Sequence, residues 1–93
     1  MSQDKLQIAF SFHQQGHLEK AQELYQELID LNPDHFDLLH LLGLVAYQRS
    51  HLERADQFFV KAMGINFFHA PLHLNRGVAL MAAERFEEGL RSF

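Results

Sequence analysis

The chain has 93 residues, 47% of them apolar and 12% aromatic, which suits one domain with a modest core and excludes disorder by composition. It has no cysteine, which excludes a disulfide, a thiolate metal site and a thiol nucleophile. The formal net charge is −4 and no basic block exists, so nucleic acid and anionic membrane surfaces are not expected partners.

In chain order, Ser2 stands where a hydroxyl could cap a first helix. That helix carries Leu6, Ile8, Ala9, Phe10 and Phe12 and is apolar on more than one face, as suits a helix packed on both sides. Gly16 ends it, since a left-handed residue costs glycine little. The spacing of Leu18, Ala21, Leu24, Tyr25, Leu28 and Leu31 predicts a second helix, with Glu19, Lys20, Glu23, Glu27 and Asp30 on its water side. Asn32-Pro33 stops it, and Pro33-Asp34 reads as the start of a third helix that runs to about Arg49. The run around Leu38, Leu41, Leu44 and Tyr47 makes this the most apolar helix. Ser50-His51 reads as a turn, followed by a fourth helix from Leu52 to Ile65. Pro71 is expected to open a fifth helix that reaches about Ala83. Glu84-Arg85 then reads as a last turn, and Phe86 as the start of a sixth, shortened helix. No apolar stretch approaches the roughly 18–20 residues needed to span a bilayer. MSQDKLQIAF lacks a cationic region followed by a long apolar run, so no secretory signal is expected and the cytoplasm is the expected location.

The stretch 39–62 organises the rest. Gly43 and Ala55 let two helix backbones approach, while Leu39, Leu42, Phe59 and Ala62 fill the seam. Shifted back by 34 residues, the same places hold Ala9, Leu18, Ala21, Tyr25 and Leu28; shifted forward, they hold Gly77, Phe86, Gly89 and Phe93. A 34-residue period of helix hairpins is the signature of a solenoid. The repeats are expected at about 2–35, 36–69 and 70–93, within one domain. Solenoids normally close with a capping helix that is polar outside, and none is expected here. The expectation is therefore an N-terminal fragment of a longer chain, or a homodimer that self-associates through Phe86, Leu90 and Phe93.

The pattern resembles the tetratricopeptide repeat. Ala9, Ala21, Tyr25, Leu28 and Pro33 match it in the first copy, and Leu39, Leu42, Gly43, Ala55, Phe59 and Ala62 in the second; Phe67 sits where proline is usual. In the third copy Gly77 and Phe93 match, and Gly89 replaces the expected alanine. The resemblance implies an all-α fold, a right-handed superhelix of antiparallel helix hairpins with two full repeats and a truncated third. It also implies a concave groove, lined by the first helix of each repeat, that binds a protein or peptide. On that pattern Phe10, His13 and Gln14 face the groove from the first copy, along with Gln3, Leu6 and Gln7. The second copy offers Asp37, His40, Leu41, Leu44, Tyr47 and Gln48, and the third Pro71, Leu74, Asn75, Val78, Met81 and Ala82. Such a surface suits an amphipathic helix or apolar peptide. It departs from the clamp that binds acidic chaperone tails, because Leu6, Phe10 and Leu74 stand where that clamp needs polar or cationic groups. The stretch APLHLNRGVALMAAERFEEGL is similar to repeats of bacterial proteins and of O-linked N-acetylglucosamine transferase-type proteins. Those repeats carry an asparagine at the place of Asn75 whose amide can pair with a peptide backbone. The alternative is thus a substrate-recognition segment of a larger enzyme such as a glycosyltransferase.

Seven histidines invite a metal reading, and His69 and His73 have the spacing of two ligands on one helix. Pro71 places His69 at or before the helix start, and neither a cysteine nor a carboxylate cluster completes a set. His17 and His51, and His35 and His69, are one period apart, as duplication alone would give. No metal site and no cofactor are expected. His13 and His40 could titrate near neutral pH within the groove. Glu84, Glu87 and Glu88 read as acids around a helix start, and no nucleophile elbow or phosphate loop is present, so these residues are not expected to form an enzyme.

Overall fold

The computed structural model describes the backbone of residues 2–91 and the side chains of residues 5–85. Five helices follow one another: α1 (Ser2–Gln14), α2 (Leu18–Leu31), α3 (Phe36–Gln48), α4 (Leu52–Ile65) and α5 (Ala70–Arg91), with no strand among the described residues. Connections of three or four residues turn each helix back along the one before. Each helix packs on the next, and α3 also touches α5. The result is an elongated all-α array of antiparallel hairpins, 49 × 29 × 19 Å. α1 takes in Ser2 as its first residue, and the capping hydroxyl expected of Ser2 lies outside the described side chains.

The two hairpin turns are one device used twice. After α1, the Gly16 N–H donates to the His13 carbonyl at 3.1 Å and the His17 N–H to the Phe12 carbonyl at 2.9 Å. After α3, the Ser50 N–H donates to the Tyr47 carbonyl at 2.9 Å and the His51 N–H to the Ala46 carbonyl at 2.8 Å. This is the paired closure that satisfies the last carbonyls of a helix through one left-handed residue. Gly16 has φ 84° and Ser50 has φ 63°.

The start of α3 corrects the expectation from Pro33-Asp34. The His35 N–H donates to the Asn32 carbonyl at 3.1 Å, so residues 32–35 form a turn with proline at its second position. The helix begins at Phe36, capped by His35, whose Nδ1 accepts from the Leu38 N–H at 3.2 Å. α5 likewise opens at Ala70, one residue before Pro71.

The core is the predicted seam. Ala9, Ala21, Tyr25, Leu39, Leu42, Ala55, Phe59 and Ala62 are all buried, together with Val45, Ala46, Leu72 and Ala79. A Cβ placed on Gly43 would run into the Phe59 ring, so the absence of a side chain there is what lets α3 and α4 close. Arg76 donates from Nε to Asp56 at 2.7 Å and ties α5 to α4. The exposed Lys5–Glu27 pair at 3.0 Å joins α1 to α2, and exposed pairs of this kind contribute little.

The expected turn at Glu84-Arg85 does not form. α5 is one helix of 22 residues that runs through both, so a sixth helix does not start at Phe86. The cause is local. Glu84 stands one period after Ser50 and two after Gly16, where the other copies need positive φ. That conformation costs a side-chain-bearing residue about 1–2 kcal/mol. Ala82, Ala83, Glu84 and Arg85 are instead good helix formers, with no glycine or asparagine to stop them.

Candidate protein-interaction face

Leu6, Gln7 and Phe10 from α1 meet Asp37, His40, Leu41 and Leu44 from α3 around a groove of about 490 Å3. Both helices are held side by side because α2 packs against each. Phe10 is 43% exposed, and Leu41 and Leu44 are half-buried, packed against the core behind them. Asp37 supplies the one carboxylate of the lining. On α5 Leu74, Val78 and Met81 are exposed at 69%, 42% and 55%. They stand one period after His40, Leu44 and Tyr47.

The polar residues expected on this face are already engaged with one another. His13 Nδ1 is 3.0 Å from the Tyr25 hydroxyl, and its Nε2 is 2.5 Å from Gln48 Oε1. The amide oxygen only accepts, so Nε2 carries the proton and Nδ1 accepts from Tyr25. Burial pushes the Tyr25 hydroxyl up to about 12, which keeps it a donor. His13 thereby links α1, α2 and α3. Asn75 Nδ2 donates to His40 Nε2 at 2.8 Å, which joins α5 to α3. Gln14 is exposed at the end of α1. Tyr47 and Gln48 line a second, larger trough of about 1120 Å3 beside Leu52, Leu80 and Ala83. That trough was not legible while a turn was expected at Glu84; the signal that could have found it is the run of helix formers from Ala82 to Arg85. The side chains of Phe86, Leu90 and Phe93 lie outside the described residues.

The histidines divide among separate neighbours. His69 packs against Phe36 and His40, with ring centroids 5.1 Å and 5.6 Å away. The His73 ring meets Phe67 edge to face, with centroids 4.9 Å apart, and hydrogen-bonds the Phe67 carbonyl. Among the described residues no three His, Asp or Glu side chains gather as a metal-holding group. The pKa of His40 is lowered, first by burial and then by the charge of His69, against the opposing pull of Asp37. The folded chain therefore takes a proton at His40 less readily than the unfolded chain. The contribution is fully present above the ordinary histidine value of about 6.5 and is lost as pH falls below it toward the lowered folded value. The melting temperature is expected to drop between about pH 7.5 and about pH 5, and His40→Gln to remove part of that slope. An identical slope in His40→Gln would mean that His40 does not couple to folding.

A family model described as a TPR repeat matches residues 11–49. The human protein O-mannosyl-transferase TMTC2 is 29% identical over 85 residues. That match takes in 88% of this chain, which spans only about 10% of the length of that relative. Among solved structures, one titled MamA MSR-1 C2 superposes with a TM-score of 0.80 at 25% identity, over 99% of this chain and 53% of the other. No described helix is long and apolar enough to cross a membrane. The paired hairpins, the 34-residue period and these matches agree on the architecture: the chain is an all-α array of helix hairpins similar to tetratricopeptide-repeat proteins, with residues 11–49 matching the repeat itself.

Proposed function

We propose that this chain is a protein-interaction module that takes an amphipathic helix or apolar peptide along the face of α1, α3 and α5. The observation that carries the reading is the apolar groove between Phe10, Leu41 and Leu44 on the same face of the repeat as Leu74, Val78 and Met81. An array of hairpins spends its burial on holding helices in register and leaves such a face exposed, and exposed apolar surface of this kind serves partners. Asp37 at the groove would favour a cationic residue beside the apolar stripe of the ligand. The reading keeps the cytoplasmic location expected from the sequence, and it assigns binding rather than catalysis to these residues.

The test is selection of peptides on the immobilised chain, followed by titration of the recovered peptide. Leu41→Ala and Leu44→Ala are expected to weaken it by about tenfold or more, as for anchors at the centre of an interface. Unchanged affinity in both variants, with helical content intact, would remove the groove from consideration.

A second reading is a recognition segment within a larger enzyme that modifies proteins with sugars. The similarity to part of an O-mannosyl-transferase favours it. It predicts that the selected peptides resemble acceptor segments rich in serine and threonine, whereas a scaffold would recover apolar helical sequences.

A further inference from the structure

His40 lines the groove at Leu41 and Leu44 on one side and joins the third repeat on the other. Its Nε2 accepts from Asn75 Nδ2 at 2.8 Å, so the proton of the neutral ring sits on Nδ1. Asp37 lies about one helical turn before it on α3 and lines the same groove. His69 stands beside it, with ring centroids 5.6 Å apart. Phe36 and Phe59 complete the surroundings, each with its ring centroid 6.1 Å away.

Among the described residues, few charges face this ring. α3 supplies Asp37 and the connection before α5 supplies His69, whereas α4 presents the Phe59 ring and α5 the Asn75 amide. On α1 the groove residues Leu6, Gln7 and Phe10 carry no charge, and His13 is committed to Tyr25 and Gln48. On α2 the carboxylates of Glu19, Glu23 and Asp30 line a separate hollow with Arg49 and Arg54. Other charges of α4 and α5 are engaged elsewhere, Arg76 with Asp56 and His73 with Phe67. With His40 neutral, the charge of the described groove lining is the Asp37 carboxylate. One proton on His40 cancels it and places a cation in the lining.

Resting on the groove reading above, we propose that His40 is the proton switch of that groove: the neutral ring admits a cationic amphipathic helix beside Asp37, and the protonated ring turns it away. Burial and His69 oppose the proton while Asp37 favours it, so the change falls below the ordinary histidine value of about 6.5. The added proton enters at Nε2, toward Asn75, whose amide can turn to accept with its oxygen. The tie between α3 and α5 then survives while the charge of the groove changes. By linkage, a bound cation disfavours the proton as much as the proton disfavours the cation, so binding in acid releases a proton.

The probes are capped amphipathic helices of leucine, alanine and glutamine with one arginine, none of which titrates near neutral pH. The tightest binder at about pH 7.5 is titrated again at about pH 5, with the helical content of the chain checked at both. Its affinity is expected to fall about fivefold or more, and the loss to shrink in high salt. His40→Gln should flatten this dependence, whatever its affinity at neutral pH. Replacing the arginine of the probe by glutamine should flatten it in the unmodified chain. A pH-independent affinity in the unmodified chain overturns the inference and leaves the groove in place. An equal acid loss in His40→Gln also overturns it. So does an equal loss with the uncharged probe, which would mean that acid loosens the fold rather than charging the groove. If no probe binds at either pH, the groove reading itself falls and this inference with it.

Discussion

Phe59→Ala is expected to cost about 3–5 kcal/mol, a large share of the roughly 5–14 kcal/mol available to a domain this size. The ring is fully buried, lies over Gly43 and stands 6.1 Å from the His40 ring. Its loss empties the seam between α3 and α4 and leaves a cavity that rigid helix backbones cannot close. Gly43→Ala attacks the same contact from the other side. Alanine favours a helix by about 1 kcal/mol over glycine, so propensity alone predicts a gain. The added methyl would collide with the ring, and overpacking of about 1–3 kcal/mol should reverse the sign. Gly77→Ala is the control. There the methyl meets nothing within 4 Å among the described residues, and the chain should gain about 1 kcal/mol. Denaturant unfolding of the three variants at low concentration checks this. Gly43→Ala and Gly77→Ala shifting in the same direction would contradict the notch.

Much of this architecture was legible because local and tertiary signals agree. α2 and α4 are amphipathic, each follows a turn built on one left-handed residue, and both match their predicted bounds at Leu18–Leu31 and Leu52–Ile65. The buried seam followed from counting one period, since a repeat places equivalent residues in equivalent surroundings. Pro33 misled because its fixed φ suits a helix start and a turn equally. The deciding contact, His35 Nδ1 on the Leu38 N–H, is a side-chain choice. At Glu84 the period argued for a turn while the residues themselves favour helix; the residues won because no glycine or asparagine eases positive φ there. On the candidate face the period supplied which residues share a side. It could not supply the bonds from His13 to Gln48 or from Asn75 to His40, each of which joins residues 35 apart.

Arg49→Met is expected to destabilise the chain by about 1–3 kcal/mol, although Arg49 is only partly buried. Gln22 on α2 is 6% exposed, and its Oε1 accepts from an Arg49 guanidinium N–H at 2.5 Å. The bond clips α2 to the residue that ends α3, next to the left-handed Ser50. Methionine retains the apolar stem but leaves a buried amide oxygen without its partner, and that desolvation sets most of the cost. Gln22→Leu removes the oxygen itself. It should cost less, because no polar atom is stranded and the freed guanidinium can reach water. In the double variant Arg49→Met no longer strands anything, so its penalty should be smaller by about 1 kcal/mol or more than in the native background. For a chain of this size each kcal/mol moves the melting temperature by roughly 4–8 °C, which puts the coupling within reach of thermal unfolding of the four variants. Strict additivity would mean that the two side chains are independently solvated, and that α2 and α3 are held together by the apolar contacts of Tyr25, Leu28 and Leu38 alone.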